Sequence, residues 1–135
     1  MVKLILGEKG TGKTKKLIEL INAAAEEAGS VVCIEAKSAM TFDVHHHARL
    51  VTAEEYAINS YDRLRGFVSG LYAGNYDTSY VFIDNLFKLV GGGITKETDE
   101  FIAWLADFSE KCGIKCTITM SADPALATET IKKYL

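Results

Sequence analysis

Three groups of residues have the types and spacing to do chemistry on a phosphorylated ligand. The first is Gly7-Glu8-Lys9-Gly10-Thr11-Gly12-Lys13-Thr14, which fits G-x-x-x-x-G-K-[ST] throughout. Glycines let the backbone turn tightly and aim successive N–H groups at phosphate oxygens. A helix that begins at the loop turns its positive end toward the same anion. Lys13 is then placed to neutralise the β- and γ-phosphates, and Thr14 to set its hydroxyl on a magnesium ion. The second group is Asp84, which closes the apolar run Tyr80-Val81-Phe82-Ile83. An aspartate at a strand end beside a phosphate loop binds magnesium, usually through its waters. The residue after it, Asn85, carries an amide, which can hold a water but cannot accept its proton. The third is Glu35, at the end of the apolar run Val31–Glu35.

The remaining polar residues carry weaker signals. His45, His46 and His47 are adjacent, and adjacent residues rarely all point at one ion. They read as a solvated or nucleotide-proximal loop rather than a metal site. Cys33, Cys112 and Cys116 read as free thiols. Arg49, Arg63 and Arg65 are the only arginines. Each reads as an exposed helix arginine, with an arginine finger toward a neighbouring subunit as the alternative.

The elements that must position these groups can be traced along the chain. Val2–Leu6 predicts a buried strand that ends at the glycine loop. From Lys13, the apolar residues Leu17, Ile21, Ala24 and Ala28 recur at helical spacing until Gly29. Val31–Glu35 predicts a second strand, and Leu50 and Val51 a short further one. Thr52 followed by Glu55 looks like a capping box opening a helix with Leu64, Phe67, Val68 and Leu71 on its apolar face, stopped by Gly74 and Asn75. Tyr80–Ile83 is another buried strand. Gly91–Gly93 is a break, and Thr95 and Thr98 cap a helix that buries Phe101, Ile102, Leu105 and Phe108 and ends at Gly113. Lys115–Met120 is the last strand, and a short helix runs from about Ala125 to Tyr134. Strands alternating with helices predict a parallel sheet covered on both faces.

The order of phosphate loop, helix, strand ending in glutamate and later strand ending in aspartate resembles the RecA-like branch of P-loop ATPases. The matching pieces are Gly7–Thr14, Val31–Glu35 with Ala36 after it, and Val81–Asp84, and the likeness runs from Lys3 to about Asp123. It implies an α/β, three-layer P-loop NTPase fold with a mainly parallel central sheet. It also implies that Glu35 activates the attacking water, with Lys13 the second catalytic residue. Gly7, Glu8, Lys9, Gly10, Thr11, Gly12, Lys13 and Thr14 would bind the nucleotide, and Thr14 and Asp84 the metal. Thr119 and Ser121 match the positions where this branch senses the γ-phosphate. The guanine-reading tetrapeptide N-K-x-D is missing, so the resemblance makes adenine the default base.

Bulk properties narrow the rest. The 135 residues, 48% hydrophobic and 24% charged, fit one P-loop domain over 1–135, with no linker that would divide it. A net charge of −3 argues against binding nucleic acid by bulk electrostatics. No apolar stretch reaches the roughly 20 residues needed to cross a bilayer, and the start does not read as a secretory signal, so a cytoplasmic location is expected. The expectation is an ATP-binding protein that uses Mg2+ and hydrolyses ATP slowly, with a homo-oligomer or protein partner as stimulator. The alternatives are a non-hydrolysing ATP-dependent interaction or regulatory module and a small-molecule or nucleotide kinase.

Overall fold

The computed structural model describes residues 1–27, 29–38 and 43–135. Among these residues five strands form one sheet: β1 (Val2–Gly7), β2 (Ser30–Glu35), β3 (Ala48–Thr52), β4 (Thr78–Ile83) and β5 (Lys115–Ser121). They lie in the order β1-β5-β4-β2-β3, and every neighbouring pair is parallel. Parallel strands deliver all their C-terminal ends to one edge. That edge therefore carries the glycine loop, Glu35, Asp84 and the end of β5.

Among the described residues, five α-helices cover the faces: α1 (Lys13–Ala25), α2 (Tyr61–Gly74), α3 (Leu86–Val90), α4 (Lys96–Cys112) and α5 (Glu129–Lys133). Successive strand residues point to opposite faces, so each face builds its own core layer. On one side Leu17, Ile21, Ala24 and Ala25 of α1 pack with Val31, Cys33 and Phe82. On the other, Leu64 and Val68 of α2 and Phe101, Ile102 and Leu105 of α4 pack over Val32, Ile34, Val81, Ile83, Ile118 and Met120. The result is a three-layer α/β architecture around a parallel sheet, as the alternation of strands and helices predicts.

Local chemistry explains where the boundaries differ from expectation. Helix α1 stops at Ala25 with Glu26 as its cap; Ala28 lies outside the described residues. Gly29 is not a helix stop. It has φ 103°, and a Cβ there would meet Ser79 Oγ at 2.6 Å, so it lets the chain pass closely by β4 as it turns into β2. Thr52 stands at the N-cap of a 3₁₀ turn, not of the α-helix, and its side chain makes no capping bond. It is the last residue of β3, paired with Glu35, and its hydroxyl bonds the Ser38 hydroxyl at 2.8 Å. A 3₁₀ turn over Ala53–Tyr56 follows, and α2 starts only at Tyr61, where Ser60 Oγ accepts from the Arg63 N–H at 3.1 Å. The Thr95/Thr98 capping box does form, and Gly113 ends α4 in the left-handed conformation. The last helix is broken in two. Asp123 caps a 3₁₀ turn over Pro124–Leu126, and Thr128 caps α5 separately.

Candidate functional site

The glycine loop leaves β1 at Gly7, which has no room for a side chain: a Cβ would meet Thr11 Oγ1 at 2.8 Å. Gly10 and Gly12 both have φ 83°, the left-handed region that suits glycine. Gly12 is also the N-cap of α1 and brings no side-chain acceptor to the first turn, so the helix start is formed by backbone donors alone. Lys13 folds back over the loop, donating through Nζ to the Glu8 carbonyl at 2.7 Å, while Thr11 Oγ1 donates to the same carbonyl at 2.8 Å. The side chains of Glu8 and Lys9 are exposed on the outer turn. Gly7, Glu8, Thr11, Gly12 and Lys13 line a cavity of about 480 Å³.

Asp84 sits beside this loop. Thr14 Oγ1 donates to Asp84 Oδ1 at 3.4 Å, and Thr119 Oγ1 donates to the same oxygen at 3.0 Å. The Thr119 hydroxyl also accepts the Asn85 N–H at 2.7 Å. Asn85 needs that anchor, because it is a non-glycine residue at φ 57° as the N-cap of α3. β5, lying between β1 and β4, thus ties the aspartate and the turn after it to the sheet. Ser121, the other hydroxyl at this strand end, stands in register with Gly7. Thr119 is 1% exposed, so Thr119→Val keeps the shape but leaves the part-buried Asn85 N–H without its acceptor. It is expected to cost about 1–3 kcal/mol of stability, measured by urea unfolding followed through the single tryptophan, Trp104. An unchanged midpoint would show that the bridge contributes nothing.

Glu35 ends β2 and is 2% exposed. The Asp84 N–H donates to the Ile34 carbonyl at 2.9 Å, which fixes the two strand ends against each other. Glu35 and Asp84 line one cleft of about 400 Å³ together with Ala36, Lys37, Asn85 and Lys88. Cys33, two residues earlier on β2, is fully buried. Burial first, then the Asp84 and Glu35 carboxylates, push its thiol pKa far up. Burial likewise pushes the Cys116 thiol up to about 12. Neither is a nucleophile at neutral pH.

Other residues fall elsewhere. His45, His46 and His47 precede β3, whose N-terminal end lies at the sheet edge opposite the glycine loop, so they are not close to the nucleotide-binding candidate. Arg63 donates to the Ala57 carbonyl, and Arg65 pairs with Asp62 and lies over the Phe101 ring. Two cations in the cleft, Lys37 and Lys88, are ones that sequence reasoning passed over. Each lies within four residues of a strand-end carboxylate. That proximity was the available signal, but α3, which carries Lys88, is only five residues long and leaves little periodicity to read.

No protein-family model matches the chain, and no curated protein matches it. Among solved structures it is similar to the crystal structure of flagellar accessory protein FlaH from Methanocaldococcus jannaschii, with a TM-score of 0.59 and 14% identity. The match covers 98% of this chain and 65% of that one, so the chain spans just under two thirds of its length. Among the described residues no helix is long and apolar enough to cross a membrane. With its parallel sheet, the glycine loop joining β1 to α1, and this structural likeness, the chain has the fold of the P-loop NTPase superfamily.

Proposed function

We propose that the chain binds ATP with magnesium on Gly7–Thr14 and hydrolyses it slowly, acting as one P-loop domain over residues 1–135. The observation that carries this reading is the meeting of Thr14 and Asp84 at 3.4 Å, from residues 70 apart in the chain, beside a helix start made of backbone donors. A hydroxyl and a carboxylate are hard oxygen donors of the kind magnesium takes, so the residues present fit the ion. Bound magnesium would neutralise charge on the phosphate oxygens. The backbone N–H groups of Gly10–Thr14 would receive the phosphates. Lys13 would exchange its bond to the Glu8 carbonyl for the phosphate oxygens. Thr119 would hold Asp84 in position, and Glu35 would orient the attacking water and take its proton.

Calorimetry with ATP and magnesium tests the binding half. Micromolar affinity or tighter is expected, weakened at least about tenfold by Lys13→Ala, or about 1.4 kcal/mol. Equal affinity in the two proteins would overturn the reading. A second cavity, of about 390 Å³, shares Ala36, Lys37 and Lys88 with the Glu35 cleft and extends it over Ala53, Ile58 and Leu89. That neighbour is what would favour a phosphoryl acceptor in place of water. Release of inorganic phosphate from ATP by the protein alone separates hydrolysis from transfer.

A further inference from the structure

The three histidines do what adjacent residues seldom do: their ligand nitrogens all lie within 4.8 Å of one another. The ring centroids of His45 and His46 are 4.5 Å apart with the rings stacked, and those of His46 and His47 are 4.2 Å apart and edge-on, so binding one ion requires the exposed His46 ring to turn out of the stack. His45 is fixed from several directions. Its backbone N–H donates to Asn22 Oδ1 at 2.7 Å, and Asn22 Nδ2 donates to the Asp43 carbonyl at 3.0 Å. Its Nδ1 accepts the His47 N–H at 3.1 Å, and its Nε2 faces Glu26 Oε1 at 3.5 Å. An imidazole that accepts at Nδ1 and is neutral carries its proton on Nε2, here the side toward the carboxylate. Nδ1 therefore carries the ring's lone pair, engaged by the His47 N–H until an ion displaces it, and the Glu26 carboxylate faces the opposite nitrogen. Metal-ligating histidines commonly donate the other ring N–H to a carboxylate, and Glu26 is within reach of that role. His46 and His47 are exposed, so their nitrogens are reachable from solvent.

We propose that His45 through Nδ1, together with His46 and His47, binds one borderline divalent transition-metal ion, Zn2+ foremost, with Glu26 as the positioning residue. Imidazole nitrogens suit that class of cation, and water completes the coordination. Coordination replaces the His47 N–H bond to Nδ1. His45, through Asn22 and Glu26, connects the ion to the C-terminal end of α1, at the sheet edge away from the glycine loop. The site stands independently of the nucleotide reading.

The test uses the whole chain without an affinity tag and without nucleotide, titrated with ZnCl2 by calorimetry. One ion per chain is expected, with micromolar affinity or tighter. The chain has no other histidines, so imidazole NMR signals report the site directly, and all three should shift together. His46→Ala and Glu26→Gln should each weaken binding about tenfold or more while leaving the metal-free melting temperature unchanged. Lys13→Ala should bind zinc like the wild type. Uptake that survives His46→Ala, imidazole signals that do not move, or no uptake at all would overturn the proposal.

Discussion

Glu35→Gln is expected to keep ATP binding and to lower turnover by about a hundredfold or more, the scale of losing a general base. The substitution keeps the shape of a side chain that is 2% exposed, so it separates proton transfer from packing. Position 85 cannot substitute for it, since the Asn85 side chain is an amide that cannot accept the water's proton, and the residue's backbone N–H is held by the Thr119 hydroxyl. Among the residues lining the cleft, Glu35 and Asp84 are the carboxylates, and the proposed reading gives Asp84 to the magnesium ion beside Thr14. Steady-state phosphate release and calorimetry on the same preparation give both halves of the result. Wild-type turnover in a folded Glu35→Gln protein would remove Glu35 from the chemistry. A wild type with no turnover, even as an oligomer, would leave ATP binding without hydrolysis.

The second large effect is structural. Phe101→Ala is expected to destabilise the protein by about 3–5 kcal/mol, a large share of the total stability of a domain this size. Phe101 is fully buried at the centre of the α2–α4 layer. Its ring stands 5.4 Å from that of Tyr61 and 6.0 Å from that of Trp104, with the Arg65 guanidinium 5.8 Å from its centroid. Tyr61 is itself pinned, its hydroxyl bonding Thr98 at 2.8 Å inside the N-terminal cap of α4. Removing the ring therefore opens a cavity between two helices whose relative position is already fixed, and little collapse can fill it. Thermal and urea unfolding would measure the loss. A cost below about 1 kcal/mol would mean that the layer repacks freely.

The parts of the molecule legible from sequence are those with strong local signals. The strands around Leu4, Val32, Val81 and Ile118 are apolar runs because both their faces are buried, and the glycine loop is a motif with a backbone reason for each glycine. Illegible parts depended on distant partners. The Thr52 hydroxyl was available to a helix by local pattern, but strand pairing and Ser38 claim it. Ser60, the true cap, lies eight residues on, after the 3₁₀ turn and the left-handed Ala57. In the site, the positions of Thr14, Asp84 and Glu35 at one edge follow from parallel strands alone. Strand order does not, because no local signal says that β5 inserts between β1 and β4, and so the bridging role of Thr119 became visible only in three dimensions. The histidine cluster was obscured for the same reason: its anchors, Asn22 and Glu26, come from α1.

That insertion has a kinetic consequence. β1 lies at an end of the strand order, and its one sheet neighbour is β5, with Val2 opposite Cys116 and Gly7 opposite Ser121. The Leu4 N–H, on the strand's other side, donates to the Tyr134 carbonyl. The strand that carries the glycine loop therefore has nowhere to dock until nearly all of these residues have been synthesised, and closing so long a loop is entropically slow. The strand that reads most clearly in the sequence would be among the last to complete its sheet pairing as the fold forms.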